Sequence, residues 1–270
     1  MPITWRYFIV ELLTAILFAG LVSHFGPVGQ SLFWCLFFAA LMAAFFIDLE
    51  LYIIPDELNA FALGMGIAAD LYCVLNGVAG HELLGGWLPR SIAGAMLCAA
   101  IFVLIQLLGQ ALFHRDAMGD GDVKLARAIG AMLPLSLALV SFFFAIAIGA
   151  VVGVAMLAFQ SRSAAASAQP DDMELEPEDG MTPIRTTLLY GVLYITFLDL
   201  ALQIGAALKI QFICKLVESL SPSEEETPED FVPGPTHIPF GPYMVAGALL
   251  AVFWGQTLLN SYLKWAFPNV

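Results

Sequence analysis

Two aspartates stand at positions where a carboxylate can do chemistry, one at the end of an apolar stretch and one in a glycine-rich turn. Asp48 comes directly after an apolar run that ends in Phe46 and Ile47, and Asp122 closes a Gly-Asp-Gly-Asp turn. Carboxylates at a membrane face a polar cavity, a partner or water. Two carboxyls held together at low dielectric do not both ionise easily, so one keeps its proton while the other acts as a base. Such a pair can hydrolyse a peptide without a metal, which makes Asp48 and Asp122 the candidate catalytic residues.

The residues around the two aspartates predict how the turns are built. The supporting residues are Pro55, Asp56, Gly119, Gly121 and Lys124. The proline ends the preceding helix, so the aspartate after it is expected to begin the next helix as an N-cap rather than to act directly in catalysis. The two glycines allow a close backbone approach or a positive φ. The lysine is expected to pair with a nearby acid or to lie at the lipid headgroups.

The elements that must position these aspartates are membrane helices. Of the 270 residues, 60% are hydrophobic and 12% charged, and the mean hydropathy is +0.85. This composition excludes a soluble enzyme, because it cannot supply a polar exterior. Apolar runs occur at 7–22, 32–47, 58–75, 91–113, 126–133, 135–159, 188–208 and 240–263. They predict an all-α, polytopic membrane protein with about seven to eight transmembrane helices, of which the run 126–133 is short.

The net charge of -13 comes from two acidic segments, 170–182 and 218–230, which are predicted to be disordered loops. The predicted organisation is a membrane domain at 1–160 with both aspartate turns, an insertion at 161–237 with the acidic loops and one apolar segment, and a final helix at 238–270. The four cysteines and four histidines are scattered. No metal site, disulfide framework or cofactor is therefore expected.

The basic residues predict the orientation. If the amino terminus is cytoplasmic and every predicted segment crosses, the bases that fall inside are Arg6, Arg115, Lys124, Arg127, Arg162, Arg185 and Lys264. The bases on the other side are then Arg90, Lys209 and Lys215. The positive-inside rule favours this arrangement, which places both aspartate turns at the cytoplasmic face.

Four blocks, in order, resemble the type IV prepilin peptidases, which are polytopic aspartic proteases with a Gly-x-Gly-Asp element. The blocks are residues 5–14, 46–56, 117–125 and 238–243. The resemblance implies that Asp48 and Asp122 are catalytic. It also implies cleavage of the leader of prepilins or type II secretion pseudopilins at the cytoplasmic face of the bacterial inner membrane. The implied partners are substrates with a basic leader and a hydrophobic helix, and the lipid bilayer, but not nucleic acid.

The chain departs from this family in two places. Bifunctional members carry an earlier membrane helix and a domain with paired Cys-x-x-Cys motifs, which is linked to methylation of the new amino terminus. That domain is not found here, so N-methylation of the product is not expected, although a mis-set start codon or a split gene is an alternative. The second departure is the insertion. If the run 188–208 spans, it reverses the side of the block 238–243, so either the run does not fully cross or the last helix is re-oriented.

Two other functions remain open. A transporter or scaffold could use the membrane acids Glu11, Asp70 and Asp199 for proton coupling or helix pairing. A transporter or scaffold function does not explain why Asp48 and Asp122 both lie in turns interrupted by proline or glycine on the same side of the membrane. A presenilin-like protease with another substrate would share the Gly-x-Gly-Asp element. The Ile-Pro-Asp and Pro-Phe-Gly-Pro blocks favour the prepilin branch.

Overall fold

The computed structural model describes residues 5–26, 29–78, 88–113, 118–166, 184–208 and 239–267. The helices are α1 (Trp5–Phe25), α2 (Gly29–Leu51), α3 (Asp56–Leu75), α4 (Arg90–Phe113), α5 (Asp120–Met132), α6 (Leu135–Ala166), α7 (Ile184–Thr196), α8 (Leu198–Ala207) and α9 (Gly241–Ala266), and α9 contains a π-helical turn at Ala251–Gly255. The predicted all-α class is confirmed. The predicted acidic loops 170–182 and 218–230 lie outside the described residues.

Six helices in the described ranges are long and apolar enough to cross a bilayer, namely α1, α2, α3, α4, α6 and α9. A seventh span is counted if α7 and α8 are taken together. The predicted run 126–133 lies in α5, which has 13 residues and is shorter than the roughly 20 that a span needs. The polytopic prediction is therefore confirmed, with six or seven candidate spans against the predicted seven to eight.

The turn between α2 and α3 is shaped by a proline. Beyond the end of α2, Tyr52 has a positive φ of 57°, and Pro55 occupies the N-cap position of α3. Asp56 is the first helical residue, and no side chain caps the helix. The predicted N-cap role of Asp56 is therefore wrong, although the helix dipole favours an acid in this turn. We call the side of the bundle where residues 51–56 join α2 to α3 the hairpin end.

Helix α5 lies inside the bundle, against α3 and α4. A Cβ on Gly94 of α4 would collide with the carbonyl oxygen of Gly130, and a Cβ on Gly66 of α3 would lie 2.9 Å from the backbone of Ala131. Small residues allow membrane helices to approach this closely. The glycines therefore hold α5 between its two neighbours, and its last two turns are buried. Because Gly130 meets Gly94 near the start of α4, α5 runs from the hairpin end to the opposite side although it is shorter than the six spanning helices.

Helices α7 and α8 form a broken pair that enters and leaves at the hairpin end. They meet at an angle of 83°, at Phe197, whose φ is 61°. At the start of α7, Thr187 accepts a hydrogen bond of 2.7 Å from Gln110, which lies near the end of α4. Near the end of α8, Gln203 donates one of 2.8 Å to Asp56. The run 188–208 therefore does not fully cross, which was one of the two alternatives.

The last helix begins at the hairpin end and ends on the opposite side. A Cβ on Gly241 would lie 2.5 Å from a carboxylate oxygen of Asp48, so the start of α9 packs against the end of α2. Its other half contacts the end of α1, where the rings of His24 and Phe253 are 5.6 Å apart. Lys264 thus lies at the end away from Asp48. The prediction that Lys264 shares a side with the amino-terminal bases is wrong, because α7 and α8 do not cross.

Two of the bases used to predict the orientation are paired inside the protein. The ammonium of Lys124 lies 2.6 Å from a carboxylate oxygen of Asp56, which is the first of the two predicted environments for this lysine. Arg127 is 2% exposed and forms an ion pair with Asp199 at 2.7 Å. Because partner carboxylates neutralise both charges, these residues do not report the orientation. Arg115, the third member of that basic cluster, lies outside the described residues.

Candidate active site

A cavity of about 950 Å³ lies at the hairpin end, between the end of α2, α4, the first turn of α5, α6 and the residues just before α9. Its carboxylates are Asp48, Asp120 and Asp122. The remaining lining residues are Tyr52, Ile101, Phe102, Ile105, Gln106, Met118, Gly119, Leu139, Phe142, Phe143, Ile146, Pro239 and Phe240. The structure therefore brings the two predicted catalytic aspartates to one largely apolar cavity.

Asp48 is held in the last turn of α2. It is 5% exposed, and its backbone carbonyl accepts a hydrogen bond of 3.0 Å from Tyr52. The start of α9 covers its carboxylate, and only a glycine fits at position 241 without displacing that carboxylate. The Pro-Phe-Gly-Pro block was singled out in the sequence, but the role of its glycine is visible only from this contact.

Asp122 lies in the first turn of α5, outside the six spanning helices. Burial and the negative charge of Asp48 raise the pKa of Asp122 to about 7, against a hydrogen bond from the backbone of Gly119 that favours the ionised form. The raised pKa means that Asp122 keeps its proton more readily than an ordinary aspartic acid. The two carboxyls are close enough to influence each other's ionisation, as a shared-proton pair requires.

The two glycines of the second turn have different surroundings. A Cβ on Gly121 would lie 3.2 Å from Cβ of Ile54, which is a tight contact, so this glycine allows the two turns to pack. A Cβ on Gly119 would lie 3.9 Å from a carboxylate oxygen of Asp122, an ordinary contact distance. Neither glycine uses a positive φ, since the described glycines with one are Gly26 and Gly77. The predicted close approach therefore applies to Gly121.

Asp120 receives hydrogen bonds on both carboxylate oxygens. Gln106 of α4 donates to one at 3.0 Å, and the hydroxyl of Tyr194 of α7 donates to the other at 3.0 Å. Gln106 also donates to the backbone carbonyl of Met118 at 3.2 Å. The sequence analysis missed both donors, because an isolated Gln or Tyr in an apolar run carries no signal of its partner.

Asp56 and Lys124 lie beside this cavity rather than in it. They line a second cavity of about 610 Å³ between α3, α7 and α8. Both carboxylate oxygens of Asp56 bind the ammonium of Lys124, at 2.6 and 2.7 Å. Asn59, one turn further along α3, donates a hydrogen bond of 3.4 Å to the carbonyl of Gly121. These contacts tie the two turns together, and Pro55 lines neither cavity.

The other membrane acids have partners or lie on the outside. Asp70 accepts a hydrogen bond of 2.9 Å from the backbone of Ser91 and faces Arg90 at 3.9 Å. Asp199 is paired with an arginine, and Glu11 is exposed on α1. Two of the three acids on which a transporter function would depend, Asp70 and Asp199, are therefore engaged in ion pairs. In the part of the chain that the structure describes, no group of three or more His, Cys, Asp or Glu side chains could hold a metal ion.

Comparison with known proteins adds to this geometry. Residues 35–154 match the type IV leader peptidase family, and this range contains both aspartates. A prepilin leader peptidase/N-methyltransferase of Myxococcus xanthus (strain DK1622) is 28% identical over 260 residues, which cover 95% of this chain and 72% of the relative.

Two further proteins of the same name are similar. The one from Aeromonas hydrophila is 30% identical over 58% of this chain and 50% of the relative. The one from Legionella pneumophila is 24% identical over 97% of this chain and 63% of the relative. The chain thus spans between half and three quarters of the length of these relatives. No solved structure matches the chain.

Proposed function

We propose that the chain, whose residues 35–154 match the type IV leader peptidase family, cleaves the leader peptide of type IV prepilins, with Asp48 and Asp122 as the catalytic pair. The observation that supports this proposal is the shared cavity at the hairpin end, in which burial and the charge of Asp48 raise the pKa of Asp122. Asp70, another buried acid, instead faces the guanidinium of Arg90 and accepts a hydrogen bond from the backbone of Ser91.

In the proposed assignment, Asp122, whose pKa is raised, holds the proton and Asp48 acts as the base. In the proposed reaction, Asp48 takes a proton from a water molecule while the water oxygen attacks the scissile carbonyl carbon. Asp122 gives its proton to the carbonyl oxygen, which produces a neutral tetrahedral intermediate. When the carbon–nitrogen bond breaks, the leaving nitrogen takes the proton held by Asp48. Asp122 then recovers its proton from a hydroxyl of the intermediate, and the pair returns to its starting state.

The proposed substrate has a basic leader followed by a hydrophobic helix, and it includes the pseudopilins of type II secretion. A basic leader stays on the cytoplasmic side of a bilayer. We therefore assign the hairpin end to the cytoplasmic face of the bacterial inner membrane. The mainly apolar wall of the cavity suits a substrate segment at the start of a hydrophobic helix, and the aspartates suit hydrolysis at its polar edge.

The proposal covers leader cleavage and not N-methylation. The names of the relatives include both activities. The paired Cys-x-x-Cys motifs that the resemblance links to methylation are not found among the four cysteines of the sequence. The proposed division of the chain remains 1–160, 161–237 and 238–270. The cavity draws on the first and last of these parts, because Pro239 and Phe240 contribute to its lining.

Cleavage of a prepilin in membranes or detergent tests the function. Asp48→Asn and Asp122→Asn should each lower the cleavage rate at least about a thousandfold, since each removes one partner of the proton transfer. Both variants should still accumulate in the membrane. Glu50→Gln, an exposed acid on the last turn of α2, is the matched control and should cleave at nearly the wild-type rate.

The possible results separate the readings. Full processing by either aspartate variant would remove the catalytic pair from the proposal. A folded wild-type protein that leaves every tested prepilin and pseudopilin uncut would remove the substrate class. Cleavage of an unrelated membrane helix in the same assay would favour the presenilin-like alternative.

A further inference from the structure

A single buried arginine holds the break between α7 and α8. Nη1 of Arg127 donates to the backbone carbonyl of Tyr194 at 2.9 Å. Both terminal nitrogens bind Asp199, at 2.7 and 2.8 Å, and the guanidinium lies 5.3 Å from the ring centre of Phe197. The last carbonyls of a helix have no partner within it. Arg127 therefore supplies a donor at the end of α7 and an opposite charge for the first turn of α8.

The local sequence at this break does not explain its geometry. Phe197 has a φ of 61°, a left-handed conformation that is unfavourable for a residue other than glycine. The tetrapeptide Thr-Phe-Leu-Asp at 196–199 contains neither glycine nor proline. The contacts with Arg127, which is 72 residues from Asp199 in the sequence, offset that cost. Because Arg127 belongs to α5, the break and the helix that carries Asp122 are fixed to each other.

Tyr194 carries this connection to the catalytic turn. Its backbone carbonyl binds Arg127, and its hydroxyl donates to Asp120, two residues before Asp122. Its ring lies 5.2 Å from the ammonium of Lys124. Tyr194 is 4% exposed, so its rotamer is constrained by packing. One side chain of the broken pair therefore touches α5 in its first two turns.

We propose that Tyr194 is a positioning residue of the peptidase reaction, which holds the Asp120 carboxylate and thereby orients the first turn of α5 beside Asp48. This inference rests on the proposed function. Tyr194 itself does not line the cavity of the two catalytic aspartates. It acts through Asp120, whose two oxygens are occupied by the Tyr194 hydroxyl and by Gln106.

The charges around Asp122 determine how loss of the hydrogen bond from Tyr194 to Asp120 would affect the titration of the catalytic pair. Helix α2 presents Asp48, and α5 itself presents Asp120. Helix α4 contributes the neutral Gln106, and the start of α9 contributes Gly241. The cation on α5, Lys124, is paired with Asp56. Without the tyrosine hydroxyl, the Asp120 carboxylate is held by Gln106 alone and turns more easily toward the catalytic pair. A like charge nearby disfavours ionisation, so the pair would titrate at higher pH.

Tyr194→Phe is the direct test, because it removes the hydroxyl and keeps both the ring and the backbone carbonyl. We expect kcat to fall about fivefold, KM to stay within about twofold, and the pH–rate profile to move up by roughly half a pH unit or more. Thr196→Val is the matched control on the same helix. The hydroxyl of Thr196 bonds only to carbonyls of α7, so its loss should leave rate and pH profile unchanged.

A second pair of variants tests whether the effect passes through Asp120. In an Asp120→Asn background the charge is absent, so Tyr194→Phe should produce no further pH shift and the two rate effects should not add. Gln106→Met removes the other donor to Asp120 and should shift the profile in the same direction. This variant keeps the inference testable if Tyr194→Phe does not accumulate.

The results distinguish this inference from the function on which it rests. If wild-type enzyme cleaves prepilin and Asp122→Asn does not, the proposed function holds. An unshifted pH profile for Tyr194→Phe, or an equal shift in the Asp120→Asn background, would then overturn the positioning role alone. If the wild-type protein does not cleave, the proposed function fails first.

Discussion

Asp48 and Asp70 are similarly buried carboxylates in neighbouring helices, but their surroundings are opposite. Asp48 is 5% exposed and Asp70 3% exposed. Asp70 accepts a backbone hydrogen bond from Ser91 and has the guanidinium of Arg90 nearby. Asp48 instead shares a cavity with two further carboxylates. Burial alone therefore does not identify a functional acid in this bundle, whereas the charge and donors around it do.

The difference has a physical basis. A buried carboxylate is tolerated when a cation or hydrogen-bond donors replace the water it has lost. Asp70 and Asp199 meet this condition. In the Asp48 and Asp122 pair, burial and the neighbouring acid together raise the pKa of Asp122. Such an arrangement stabilises the fold poorly and suits proton transfer, and perturbed pairs of this kind are concentrated at functional sites.

The largest effect within this comparison should come from crowding the Asp48 side. In Gly241→Ala the added Cβ would lie 2.5 Å from the carboxylate oxygen of Asp48, so the carboxylate must move. A shift of about 1 Å can lower a rate on the order of a hundredfold, and prepilin cleavage measures it. Gly64→Ala, where a Cβ meets nothing within 4 Å, is the control. Wild-type cleavage by Gly241→Ala would show that the position of Asp48 is not critical.

The pH dependence of stability should reveal the raised pKa of Asp122. Because the pKa of Asp122 is raised from 3.8 to about 7, the folded protein retains a proton between those pH values that the unfolded chain releases. Its contribution to stability is complete below pH 3.8 and is lost as the pH rises to 7. Asp122→Asn should abolish this part of the decline in Tm, measured in detergent across that range. Parallel Tm curves for the two proteins would contradict the raised pKa.

Asp70→Asn should show the reverse pattern to Asp122→Asn. The variant loses the charge that faces Arg90 but keeps an oxygen that can accept from the backbone of Ser91. We expect a loss of roughly 1 kcal/mol in the free energy of unfolding and a cleavage rate per folded molecule within about twofold of wild type. Thermal unfolding and prepilin cleavage measure the two quantities. Loss of cleavage without loss of stability would place Asp70 in the same class as Asp48.

A moderate effect on cleavage is expected at the third carboxylate of the cavity. Asp120→Asn keeps one acceptor oxygen for either Gln106 or Tyr194, so it should retain cleavage within about tenfold of wild type. Kinetic measurement of prepilin cleavage checks this. A loss as large as that of Asp122→Asn would make Asp120 a direct participant in the reaction.

The sequence was sufficient to predict the parts of the structure that depend on local pattern. Six spanning helices follow apolar runs, and the two aspartate turns were recognised because their residue types are contiguous. The proline before Asp56 correctly indicated a helix break, although it occupies the N-cap position itself. Local pattern was enough here because hydropathy and proline act within a few residues of one another.

The re-entrant pair could not be predicted in the same way. The run 188–208 is apolar on both sides of Phe197, and the break is stabilised by Arg127, which is distant in the sequence. Arg127 was counted as a loop base because its charge says nothing about its burial. The hydrogen bond from Tyr194 to Asp120 likewise joins residues 74 positions apart. Such pairings need the tertiary structure, since neither partner has a local signature.

The return of α7 and α8 to the face from which they entered has a consequence for how the chain can vary. A complete crossing at this point would invert every later segment and carry residues 239–241 away from Asp48. A segment that enters and leaves on the same face does not change the orientation of the helices that follow it. This part of the protein can therefore be lengthened, shortened or exchanged without turning the final helix upside down, provided that the catalytic turn keeps an equivalent support.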